Sequence, residues 1–184
     1  MALLLLLLTI SQVFAYYEAG GFGFNGTLHG KNNATICITG TVAANTYIGF
    51  GVPQSVDLPF MISADLLVVY GNATGVHLIH GHGVGAERPF FLSDADNTTP
   101  GLPYVHLLSR QSSYNAKTSK LKACFERPVK VDFAATSGGR NLSVGVYTYL
   151  WSTGRVVDGV ARIHRDAGVV EKVQLFGGLA SKAH

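Results

Sequence analysis

Apolar positions recur along this chain in short runs, and within the runs the period is close to two. The stretch "LSVGVYTYLW" (Leu142–Trp151) shows it best: Val144, Val146, Thr148 and Leu150 fall on one side, and Gly145, Tyr147, Tyr149 and Trp151 on the other. This is the alternation of an extended strand. Large apolar groups on both sides predict a central strand with both faces covered. The side with Tyr and Trp could also wall a flat aromatic ligand, although ordinary core is the plainer reading. Further strands are predicted at Ala34–Val42, Tyr47–Val52, Asp65–Tyr70, Gly75–His80, Tyr104–Arg110, Leu121–Phe125, Val129–Ala134 and Val169–Phe176. They are rich in Val, Ile, Tyr and Phe and are separated by breakers such as "GNATG", "DADNTTPG" and "TSGGRN". No segment keeps a helical period over eleven residues. Many short strands at this spacing predict an all-β sandwich or barrel, without internal repeats or a second domain.

Composition narrows the class. Hydrophobic residues make up 47% of the 184 and charged residues 14%, a globular balance rather than a disordered one. The formal net charge of +3 is spread without a basic run, so nothing marks a nucleic-acid partner. The chain starts "MALLLLLLTISQVFAYYEAG", whose apolar core Leu3–Ile10 is far shorter than the roughly 20 residues that span a bilayer. Val13 and Ala15 stand where signal peptidase requires small residues. Residues 1–15 are therefore expected to be a signal peptide, and 16–184 one secreted domain, although no Lys or Arg precedes the apolar core. Five Asn-x-Ser/Thr sites, at Asn25, Asn33, Asn72, Asn97 and Asn141, agree with an exported glycoprotein. The two cysteines, Cys37 and Cys124, are expected to pair in an oxidising compartment; two buried thiols are the other reading.

Hydrolytic chemistry has no signature here. There is no G-x-S-x-G elbow, the glycines of "GGFGFNG" do not follow a strand and open a helix, and the carboxylates are scattered. The segment "HLIHGHG" holds His77, His80 and His82; on a strand the last two share a face, and a metal site would need a third ligand from elsewhere. Partly solvated strand-end histidines are the plainer reading. Met61 is the only methionine besides the initiator, and it stands just ahead of a strand. A methionine there is usually adaptable core filling, but a thioether is also an axial ligand for haem iron opposite a histidine. His164, in "ARIHRDAG", is a candidate partner.

In order, "YIGFGVPQ", "MISADLLVVYGNATGVHLIHGHG", "CFERPV", "VGVYTYLWSTG", "HRDAG" and "VVEKVQLF" resemble a DOMON domain. The chain is similar to the haem-binding branch of that family, which includes the cytochrome domain of cellobiose dehydrogenase, over about Thr35 to Phe176. The resemblance implies a two-sheet antiparallel, immunoglobulin-like β-sandwich. It implies non-covalent haem b held by Met61 and His164, with an extracellular oxidoreductase as electron donor or acceptor. A haem-free module that binds a sugar or small aromatic ligand at the cell surface is the alternative; there Met61 is core and Tyr147, Tyr149 and Trp151 carry the contacts. A structural or adhesive glycoprotein is a third.

Overall fold

A computed structural model describes residues 16–19, 21–55, 61–83, 90–91, 104–132 and 139–176. It is a sandwich of two antiparallel sheets. Sheet A runs β1 (Tyr16–Ala19), β2 (Phe22–His29), β3 (Asn33–Thr41), β10 (Lys120–Pro128) and β8 (His106–Leu107), with β9 (Ser113–Asn115) also on β10. Sheet B runs β12 (Val160–Val173), β11 (Tyr147–Val157), β4 (Thr46–Val52), β5 (Asp65–Asn72), β6 (Gly75–His82) and β7 (Phe90–Phe91). The expected signal peptide and Asn97 lie outside the described residues.

The core forms where the inward positions of both sheets meet. Ile36, Ile38, Phe125 and Phe24 of sheet A face Ile48, Phe50, Leu67, Val69 and Tyr149 of sheet B, all buried in one cluster. Each such side chain contributes about 1.5–3 kcal/mol by leaving water. Tyr149 stacks on Phe50 at 5.1 Å between ring centres, and Trp151 meets Phe22 edge-on at 6.2 Å. The aromatic side of Leu142–Trp151 is thus core, and the ligand wall it could have formed is filled by the opposite sheet.

Several expectations about elements need correction. Phe22–His29, absent from the predicted strands, is a full strand: a Cβ on Gly26 would stand 2.7 Å from the Phe176 ring, so the chain's last described residues need the missing side chain. Val129–Ala134 is no strand as far as it is described, and β11 starts only at Tyr147, leaving Val144 and Val146 exposed. The C-terminal strand begins at Val160 rather than Val169, because Asp158 and Gly159 take positive φ and turn the chain straight back onto β11. In place of one strand at Tyr104–Arg110 stand the short β8 and a 3-10 turn, Ser109–Gln111.

Cys37 and Cys124 are direct neighbours in the β3–β10 register and form a disulfide. It closes a segment of 87 residues that contains four strands of sheet B and the crossing back to sheet A. In the chain-entropy account such a loop contributes about 4–5 kcal/mol. Replacing both cysteines by alanine is expected to lower stability by up to that amount without changing strand content, checked by denaturant titration followed by circular dichroism.

Candidate functional site

One end of the sandwich is built around a buried carboxylate. Asp65 opens β5 facing inward and is fully buried, as is Arg127 of β10 in the opposite sheet. Arg127 Nη1 donates to Asp65 Oδ2 at 2.8 Å, so the pair joins the two sheets. Tyr104 Oη donates to the same oxygen at 2.8 Å, and the Arg140 backbone N–H at 3.2 Å. The other oxygen, Oδ1, takes His80 Nε2 at 2.6 Å and stands 3.9 Å from His82 Nδ1. Burial alone would raise the Asp65 pKa, but Arg127, His80 and Tyr104 more than offset it and hold the carboxyl well below its usual range. Tyr104 is pushed far up, by burial first and by the Asp65 charge next. The sequence pairing of His80 with His82 on one face holds, but the two are buried inside the fold rather than solvated at a strand end.

The same end shapes the turn that carries Met61. Ala64 N–H donates to the Met61 carbonyl, and Ser63 sits at φ 57°. Ser63 N–H donates to Gly83 O and Gly83 N–H to Ala64 O, while Arg140 Nε donates to Ser63 O. A Cβ on Gly83 would fall 1.6 Å from the Met61 carbonyl oxygen, so only glycine admits this clasp.

The outer face of sheet B is the second feature. Three rows cross it in register: Val169, Leu150, Gly51, Leu66 and Gly81; Ala167, Ser152, Gly49, Val68 and Ile79; His164, Gly154, Tyr47, Tyr70 and His77. None of these positions is Asp, Glu, Lys or Arg. An outward sheet face is normally polar. Here the glycines of β4 let neighbouring side chains lie flat across it: a Cβ on Gly51 would stand 3.0 Å from both Leu150 and Leu66. Burial pushes Tyr47 up to about 12, a bond with Ser152 only partly offsetting it, and Tyr70 is raised likewise, so both phenols stay neutral in neutral solution. Leu66, Ile79 and Leu150 remain half-buried and Val169 is 40% exposed.

Met61, half-buried, lies in the turn ahead of the Leu66 end of this face; His164, exposed, pairs with Gly154 at the other end. In a flat sheet the register from Asp65 to His164 spans roughly 17 Å along the strands and about 14 Å across them. The β11–β12 hairpin is not flat. It has three register shifts, and its Val156 and Ala161 pack on Tyr47, Val68 and Tyr70 while Tyr47 Oη donates to Arg162 O at 3.1 Å. The hairpin thus curls over the outer face and carries its strand toward β5. The two donors flank the same uncharged surface without being brought together on it. That surface and that donor chemistry fit a flat apolar macrocycle, whereas the tightly packed interior, whose cavity among Phe24, Phe50 and Tyr149 holds only about 10 Å³, does not.

The remaining expected sites are spread over the surface. Asn33 and Asn141 are exposed, and Asn25 and Asn72 half-buried. Asn33 Nδ2 donates to Glu126 at 3.1 Å, and Asn72 Oδ1 accepts from the Thr74 N–H at 2.8 Å. Sequence reading missed Asp65, Arg127 and Gly83. An Asp in the otherwise apolar run "ADLLVVY" was the one signal available, since a charge at an inward strand position needs a partner.

No protein-family model matches the chain, and no curated protein does. Solved structures do. The cytochrome b domain of pyranose dehydrogenase from Coprinopsis cinerea superposes with a TM-score of 0.59 at 14% identity, over 85% of this chain and 80% of that one. The cytochrome domain of Myriococcum thermophilum cellobiose dehydrogenase gives 0.55 at 15%, over 86% and 81%. The chain has the cytochrome-domain fold. At this identity the likeness shows the fold alone, and it agrees with the DOMON-type sandwich read from the sequence.

Two outcomes follow for this end of the sandwich. Arg127→Met, which strands the Asp65 charge, is expected to destabilise by about 3–5 kcal/mol in urea unfolding. Because the folded Asp65 pKa lies below the unfolded value of about 3.9, its contribution is fully present above that value and is lost as pH falls through the folded pKa. Wild type should therefore lose stability steadily below about pH 4, and Asp65→Asn, weaker at neutral pH, should show a flatter acid limb in melts across pH 2–7.

Proposed function

We propose that the protein is a secreted electron-transfer domain that holds haem b non-covalently on the outer face of sheet B, with Met61 and His164 as iron ligands. The observation that carries this reading is the uncharged outer face, bordered by a thioether and an imidazole, on a fold shared with cytochrome domains of two dehydrogenases. Haem iron with both axial positions filled in this way passes single electrons and leaves no position for oxygen or substrate.

The chain's own residues have separable tasks. Met61 supplies a soft donor from a turn held by Gly83 and Arg140, which limits how far its sulfur strays. His164 supplies the second donor from a bulged, exposed strand. Leu66, Val68, Ile79 and Leu150 exclude water from the seat, and Tyr47 and Tyr70 stay neutral beside it. Both cysteines are joined to each other, so no thioether link to a cofactor is open to them. Residues 1–15 direct export, the asparagine sites carry glycans, and a separate extracellular oxidoreductase serves as electron donor or acceptor.

A haem-free binding module is the second reading. The separation of Met61 from His164 favours it, but Tyr147, Tyr149 and Trp151 point into the core, so a sugar or small aromatic would have to lie on the outer face instead.

Haem added to the purified protein decides between them. The expected result is a low-spin spectrum that sharpens into distinct α and β bands on reduction, and that is lost in Met61→Ala and in His164→Ala. A protein that stays colourless in excess haem overturns the cytochrome reading.

A further inference from the structure

Asp65, His80 and His82 each present a ligand atom, these atoms lie within 4.8 Å of one another, and all three residues are buried. None of them takes part in the proposed haem seat, because they face the interior of the sandwich while Leu66, Ile79 and Gly81 face out. We infer that this triad is a binding site for a single copper ion in its monovalent state.

The geometry is close to what one ion requires. Ligand atoms at about 2.0–2.1 Å from a common metal stand roughly 3–3.5 Å apart. Asp65 Oδ1 is 2.6 Å from His80 Nε2 and 3.9 Å from His82 Nδ1, and the three ligand atoms all lie within 4.8 Å of one another, so side-chain shifts of up to about an ångström gather the set around one ion. The carboxylate is already aimed: Tyr104, Arg127 and the Arg140 N–H hold Oδ2, leaving Oδ1 toward the imidazoles. Such outer contacts orient metal ligands in established sites.

The ion's charge follows from the same contacts. Arg127 balances Asp65, so an incoming ion meets a neutralised carboxylate in a buried place. A divalent ion would add two positive charges beside a guanidinium, a monovalent one only one, and the cost of burying charge rises steeply with its size. Among ions that imidazole binds well, copper offers the single charge. Binding replaces the His80 Nε2–H···Oδ1 hydrogen bond by two Cu–N bonds and one Cu–O bond. The displaced proton passes to His80 Nδ1, which is buried and has no hydrogen-bond partner among the described residues. No electron moves in this step.

The test is a titration of the full-length, haem-free protein with Cu⁺, under ascorbate and without oxygen, against a chromogenic Cu⁺ chelator. One Cu⁺ per chain is expected. His80→Asn and His82→Asn should each weaken it roughly a hundredfold, while the Met61→Ala/His164→Ala double variant should bind as wild type does. That variant separates this site from the proposed haem ligands, so each reading stands or falls alone. Folded wild-type protein that retains no Cu⁺, affinity unchanged in both histidine variants, or tighter binding of Zn²⁺ than of Cu⁺ would overturn the assignment. The wild-type titration decides even where a variant melts early.

Discussion

The Asp65–Arg127 ion pair is the constraint on which the working end of this sandwich depends. It crosses from β5 to β10, so it fixes how one sheet lies over the other at that end. A buried pair of this kind adds little net stability over an apolar substitute, yet it is costly to break, because the surviving charge has no water to turn to. Its effect is therefore on arrangement. The carboxylate gathers Tyr104, Arg140 and His80 around itself, and Arg140 in turn holds the Ser63 carbonyl. Through that chain of contacts the position of the Met61 turn is tied to the packing of both sheets.

Sheet B uses its two faces differently. The inner face takes part in an ordinary aromatic and aliphatic core. The outer face is also apolar, and glycines on β4 keep it flat where side chains from β5 and β11 meet over them. A surface of this character exposed to water has a cost in solubility and association, which makes an occupant or a partner its natural explanation. The curled β11–β12 hairpin covers part of it and leaves the rest between Met61 and the strand that carries His164.

Much of the fold was legible because strands announce themselves locally. "YTYLW" alternates, and its inward set is the one that packs on Phe50 and Phe22. Where local signals failed, a distant contact decided. The glycine-rich "GFNG" carries no strand prediction, but Gly26 lies in mid-strand under Phe176, about 150 residues away. Val144 and Val146 continue the alternation yet stay outside the sheet. The pairing of Cys37 with Cys124 was open to inference because no other cysteine competes. The Asp65 cluster was not, since its members come from five separate strands and loops.

By itself the sequence determined the class of the fold, the disulfide, the face shared by His80 and His82, and the singular position of Met61. Each of these rests on residue type, count or a period of two, which are properties of neighbouring residues. Only the tertiary structure decided that Asp65 meets Arg127 across the sandwich, that His80 and His82 turn inward to it, and that an uncharged face lies between Met61 and His164. These depend on strand order and register, which are set by how two sheets bury their apolar sides against each other, and no local stretch of chain contains that information.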